Sequence, residues 1–317
     1  MIIKEIQSQQ DKIKYSEIAT EAGNIFNTPD WLNIFGNRLK LFGIYENDNR
    51  LIGGFALYKD QKFGFNVYRN PPLTHYIGPF FQMSNNLNKQ REGLILLADY
   101  VNRLPYAIVS FFLNKNIIDT LPFVWGKFKV VPHYTYVINL GTSTENIFKN
   151  MSKERRNDLN KAIKDELVVE RINDFSLIKY MILKTFSRQK KTINQFYLDK
   201  ILFHFANSNN SFAFAVTRNS KPIAASFCLY DKHSAYYLLG GYDKENKHHG
   251  ASALSLWEAI KYAKELGLQD FDFAGSMVPQ IERFFRDFGG ELTPYYRINK
   301  AKLPLEIILK FFKREIF

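Results

Sequence analysis

AYYLLGGYDKENKHHGASALSLWEAIKYAKELGLQDFDFAGS, residues 235–276, decides the fold. A run of large apolar residues ends in Gly240 and Gly241. A basic loop with Lys247, His248, His249 and Gly250 follows. Ala253, Leu256, Trp257, Ile260 and Ala263 then recur at helical spacing, Gly267 marks the stop, and LQDFDF reads as a strand. The start of a helix carries unpaired N–H groups and the positive end of its dipole. Lys247, His248, His249, Gly250, Ala251 and Ser252 therefore form a candidate anion cradle. The competing reading is a solvated loop before a helix that begins with small residues. No Walker loop and no GxGxxG fingerprint occurs, which argues against nucleotide hydrolysis and dinucleotide redox chemistry.

Working outward, the same pattern recurs upstream. KLFGIYENDNRLIGGFALYKD (40–60) and SFAFAVTRNSKPIAASFCLYDK (211–232) both read as hairpins closed by turn-forming residues. Each is followed by a helix and a strand. In the first half Leu94, Leu97, Ala98 and Val101 make the helical stripe and YAIVSFFL the strand. A duplicated α/β architecture with mixed sheets follows, with domains 1–132 and 133–317 and the boundary near Pro132, before the strand HYTYVINL. TSTENIFKNMSKERRNDLNKAIKDE reads as helical over 143–166, with Ser143 or Thr144 as its cap.

Asp272 alternates with Phe271 and Phe273 near the end of a strand, where open α/β sheets bind ligands; it serves equally well as a cap for the next turn. Ile281, Phe284, Phe285 and Phe288 form an apolar helical face, with Arg283 and Arg286 off it as candidate ligands for phosphate or carboxylate. Two basic clusters are candidate polyanion contacts: Lys149, Lys153, Arg155, Arg156, Lys161 and Lys164, and then Arg188, Lys190 and Lys191. Glu154, Asp158 and Asp165 interleave with the first, as on an ordinary solvated helix face. In the C-terminal LPLEIILKFFKREIF, Leu305, Ile308, Leu309 and Phe312 make one side, flanked by Lys310, Lys313 and Arg314. That helix fits an anionic membrane surface, although docking back onto the protein is the expectation.

The 317 residues, 46% of them hydrophobic, exclude disorder. One cysteine, Cys228, excludes a disulfide framework and a CxxC metal site, and no His or carboxylate spacing matches a metal site, so no metal is expected. The polar N-terminus and the lack of a membrane-length apolar run lead to the expectation of a cytoplasmic protein, with peripheral contact at the inner face of the membrane as an option. The net charge of +12 favours an anionic partner.

FNTPDWLNIFG (26–36), TYVINLGTSTENIFKNMSKERRNDLNKA (135–162), TFSRQKK (185–191), YYLLGGYDKE (236–245), ELGLQDFDFAGS (265–276) and RFFRDFGGELTPYY (283–296) together resemble the FemAB-like branch of the GNAT acyltransferase superfamily. The resemblance spans nearly the whole chain. It implies two tandem GNAT-like domains, the first for acceptor recognition or scaffolding and the second for donor binding and catalysis. It implies acyl or aminoacyl transfer from acyl-CoA, such as acetyl-CoA, or from aminoacyl-tRNA to an amine of an anionic envelope precursor. With it, Asp272 becomes a candidate base or amine-positioning group, Tyr242 and Tyr295 candidate proton donors, 247–252 the donor loop, and Arg188, Arg283 and Arg286 substrate contacts. Fem-type sequences carry Lys where this chain has Phe285, so a cationic role there does not transfer. The rival reading is a catalytically silent protein that binds RNA or a membrane surface on the same fold.

Overall fold

The structure, a computed structural model, describes residues 1–62, 64–82, 87–275, 277–303 and 305–312. The chain forms two compact units: Met1–His133 together with Pro294–Phe317, and Tyr134–Thr293.

Unit 1 contains β1 (Ile2–Glu5), α1 (Gln9–Ala22), α2 (Pro29–Asn33), β2 (Leu39–Tyr45), β3 (Leu51–Lys62), β4 (Phe65–Arg69), β5 (Phe80–Phe81), α3 (Leu87–Arg103), β6 (Ile108–Phe112) and α4 (Leu121–Trp125). β7 (Lys129–Asn139) leads into unit 2, where α5 (Thr144–Asn150), α6 (Lys153–Lys164), β8 (Val168–Ile172), α7 (Phe175–Arg188), α8 (Gln195–Lys200), β9 (Ser211–Arg218), β10 (Lys221–Tyr230), β11 (Ser234–Tyr242), α9 (Ala251–Glu265), β12 (Asp270–Asp272) and α10 (Pro279–Arg286) follow. β13 (Glu291–Ala301) returns the chain to unit 1, and α11 (Leu305–Phe312) comes after it.

The strand order in unit 1 is β1-β2-β3-β4-β6-β13, with β5 beside β3; in unit 2 it is β8-β9-β10-β11-β12-β7. Both units are antiparallel except at one place, β4 with β6 and β11 with β12, where a helix crosses between the two strands. The repeated hairpins are β2–β3 and β9–β10. β10 is buried along most of its length because helices cover both of its faces, and its sequence is correspondingly a near-continuous apolar run. Ser226 accepts from Ser255 of α9 on one face, and Phe175 of α7 packs edge-on against Phe227 on the other.

Three expectations change. The 143–166 helix is two helices, broken at Met151–Ser152, where the Ser152 hydroxyl accepts from the Arg155 N–H and starts α6 afresh. The 133–317 segment divides: Pro294–Phe317 joins unit 1, because Arg297–Ala301 pair with Ile108–Phe112. α11 docks only in part, with Leu305 and Leu309 half-buried. None of its residues is fully buried, and Ile307, Ile308, Phe311 and Phe312 are exposed. Lys313 and Arg314 lie outside the described residues.

Candidate active site

β12 pairs with β11 only at Ser234–Tyr236, while β11 continues along β10 to Tyr242. Past Tyr236, the edge of β11 toward β12 therefore has no strand partner among the described residues. Leu238 is an extra residue in the register with β10, a bulge that re-aims the backbone at this point.

The outer half of β11 is held by the end of α7. Thr185 Oγ1 accepts from the Tyr242 N–H at 3.3 Å, and a Cβ on Gly241 would lie 2.4 Å from the Met181 carbonyl oxygen. Arg188 donates to the Tyr242 carbonyl at 3.2 Å, and its guanidinium sits 4.1 Å from the centre of the tyrosine ring. The structure thus joins two residues that sequence reasoning placed separately: Arg188 clamps Tyr242.

The 247–252 segment is built differently from an open cradle. Lys247 and His249 are exposed and His248 is buried. His248 Nδ1 accepts from the Gly250 N–H at 3.1 Å, so the proton is on Nε2, 2.9 Å from Asp165 Oδ2. His248 and Lys161 hold the Asp165 carboxyl below the usual range. The His248 carbonyl accepts from Ala251. A Cβ on Gly250 would stand 2.2 Å from the Asp158 carbonyl oxygen of α6, so glycine is required here for helix packing. Ser252 follows in the first turn, half-buried.

Asp272 is fully buried. Its Oδ1 accepts from Thr135 Oγ1 at 2.6 Å and from the Ala274 N–H at 2.7 Å, and Thr135 Oγ1 in turn accepts from Gly275. The carboxylate fastens the turn that follows β12, where Ala274 takes a φ of 54°. Beside that turn the Tyr136 hydroxyl donates to Glu282 at 2.6 Å, and Arg286 lies 3.4 Å from the same carboxylate. Burial and Glu282 push the Tyr136 hydroxyl up to about 12. Arg283 pairs with Glu154 at 2.8 Å. Phe285 is buried and stacks on Phe273 at 4.8 Å, so it belongs to the core.

Much of the first basic cluster is structural. Arg155 is buried against Phe284 and paired with Asp158, and Arg156 donates to the Lys149 and Met151 carbonyls at the end of α5. Tyr295 belongs to unit 1, packed edge-on with Tyr76. Thr185, Leu238, Tyr136 and Glu282 were missed. The bulge and the splay leave no composition signal, although TFSR and YYLLGG mark both arms of the clamp. Among the described residues, no group of three or more His, Cys, Asp or Glu side chains is placed to hold a metal ion.

Residues 185–286 match the family model described as an acetyltransferase (GNAT) domain, a span running from Thr185 through Arg286. Among solved structures the chain is similar to FemX (TM-score 0.71, 12% identity, covering 98% of this chain and 100% of that one). It is also similar to L-PGS from Bacillus licheniformis (TM-score 0.60, 13% identity, 99% of each chain). A third likeness is to a tandem GNAT protein from the clavulanic acid biosynthesis pathway (TM-score 0.57, 9% identity, 94% of this chain and 98% of that one). No curated protein sequence matches. Unit 2 thus contains the match to a GNAT domain, and the whole chain shares its fold with FemX and the tandem GNAT protein.

Proposed function

We propose that the protein transfers an acyl or aminoacyl group to an amine of a cell-envelope precursor, a peptidoglycan, glycan or nucleotide-sugar intermediate. The observation that carries this is the splay of β11 from β12 inside the residues that match the GNAT domain. The edge of β11 between Tyr236 and Tyr242 would hold the donor carbonyl and its developing oxyanion. The amine nitrogen forms the new C–N bond, the C–O or C–S bond to the donor breaks, and the amine proton passes to solvent or the leaving group. Tyr242, fixed by Arg188 and Thr185, is the candidate proton donor to that group. Asp272 acts as a positioning residue through the 272–275 turn.

Aminoacyl-tRNA fits better than acyl-CoA as donor. The Gly250 and Ala251 N–H groups, which a pyrophosphate would use, are already bonded to His248, and Gly250 is pressed against α6. Equilibrium dialysis with acetyl-CoA, run beside filter binding of aminoacyl-tRNA, tests the choice. The expected result is tRNA binding that weakens steeply with salt and only weak acetyl-CoA binding. Saturable acetyl-CoA binding that is lost in Lys247→Ala would hand the donor role to CoA, and tRNA binding without transfer would favour the silent RNA binder.

The exposed apolar residues of α11 favour peripheral membrane contact. No helix among the described residues is long and apolar enough to cross a membrane. Ile307, Ile308, Phe311 and Phe312 are open beside Lys302 and Lys310, a combination suited to an anionic bilayer and hence to a lipid-linked acceptor. Cosedimentation with phosphatidylglycerol vesicles, lost in Ile308→Glu, is expected; equal binding to neutral vesicles would refute it.

A further inference from the structure

β13 places Tyr295, Arg297 and Asn299 at alternating positions on one sheet face of unit 1. Phe112 stands opposite Arg297 and Ser110 opposite Asn299. Arg297 Nε donates to Ser110 Oγ at 2.8 Å, and Ser110 Oγ donates to Asn299 Oδ1 at 2.7 Å. This relay orients the amide: Ser110, already accepting from the guanidinium, gives its own proton to Oδ1. The NH₂ group of Asn299 therefore takes no part in the relay, and among the described residues it has no partner although the residue is fully buried.

Arg297 is no better satisfied. Its Nη nitrogens have no acceptor among the described residues, and no carboxylate pairs with it. The surroundings are aromatic. The guanidinium lies 5.3 Å from the Phe112 ring centre, with Tyr295 5.4 Å and His133 4.9 Å from that ring. Burial and Arg297 press His133 down to about 4, which keeps it neutral near pH 7 and leaves the arginine charge uncompensated. A half-buried guanidinium without an anionic partner and an orphaned buried amide are both unfavourable, and both are donors. A ligand bearing several acceptor oxygens answers the two together.

We propose that Arg297 and the Asn299 NH₂ group form an oxyanion subsite in unit 1, which takes a carboxylate or phosphate of the ligand against the aromatic wall of Phe112, Tyr295 and His133. This deepens the acceptor role proposed above; the subsite itself rests on unit 1 alone.

Thermal melting of the whole chain, with no acyl donor present, tests it. Inorganic pyrophosphate represents the phosphate class and N-acetyl-dialanine the carboxylate class, each against sodium chloride of equal ionic strength. A saturable rise in Tm is expected with at least one of them, and the lower half-saturation identifies the class. Asn299→Asp keeps the side-chain shape but repels an anion, and abolishes the rise. Arg297→Lys keeps the charge, loses the planar fork and weakens binding at least tenfold. The absence of any rise beyond the chloride control overturns the proposal, as does an unchanged rise in both folded variants. Because no transfer is measured, failure here is separate from failure of the transferase reading.

Discussion

Ser110 in unit 1 and Asp272 in unit 2 occupy the same place in the repeated sheet. Ser110 pairs with Arg69 of the parallel neighbour and Asn299 of the closing strand; Asp272 pairs with Tyr236 and Val137. Each also makes one diagonal contact with the closing strand, to Arg297 at 2.8 Å and to Thr135 at 2.6 Å. The lattice is shared and the charge is inverted. In unit 2 a buried carboxylate is met by a hydroxyl and a backbone N–H. In unit 1 a guanidinium is met by one hydroxyl and otherwise left open. On the shared lattice one diagonal pair is a fastener in unit 2 and, in the proposal above, a receptor in unit 1.

The region past these pairs diverges as well. In unit 2 the β11–β12 edge stays open. In unit 1 the Asn70 side chain reaches across from β4 to accept from the Phe112 N–H, and Asn24, Asn27 and Asn114 bond one another and the Gly78 and Pro79 carbonyls. A Cβ on Gly78 would lie 2.6 Å from the Leu113 Cα, so the 70–80 segment presses directly on the end of β6.

The comparison breaks most visibly at Asp272. Asp272→Ala strands the Thr135 hydroxyl and the Ala274 N–H, and is expected to lose about 3 kcal/mol of stability together with transfer activity. Asp272→Asn still accepts from both donors and keeps the fold and most of kcat, as a turn fastener requires; a hundredfold fall in kcat in that folded variant would restore Asp272 as a base. Gly250→Ala, which drives a methyl into α6, is expected to destabilise unit 2 by about 2 kcal/mol in urea unfolding, and an unchanged midpoint would mean that α6 can yield.

Unit 1 should show the stronger acid sensitivity. His133 has a folded value of about 4 against 6.5 for the free side chain, so the unfolded chain binds the extra proton first. Its contribution is present above pH 6.5 and lost as pH falls towards 4, and His133→Phe should flatten that slope in pH-dependent melting. The smallest effect is expected from Arg283→Ala. Its pair with Glu154 is exposed on both sides, so a stability change above about 0.5 kcal/mol would assign it a larger role.

Local pattern made much of this legible. The two hairpins, the helical stripes of α3 and α9 and the core position of Phe285 all follow from periodicities and turn residues within short windows. What was hidden depends on pairing across long separations. Nothing in YYRINKA says that it will lie beside Ile108–Phe112, so Arg297 and Asn299 looked ordinary. Gly250 was visible, but the α6 carbonyl that excludes a side chain there lies some ninety residues upstream.

The closing strands have a further consequence for how the protein comes into being on the ribosome. Unit 2 is contiguous and carries its closing strand, β7, at its own beginning, whereas unit 1 must wait for Pro294–Ala301. The outer edge of β6 therefore stays unpaired through the synthesis of the intervening residues, an invitation to pairing with other nascent chains. The slow, long-range step of maturation is the return of β13, so arrest of translation short of it should leave unit 1, and not unit 2, in need of a chaperone.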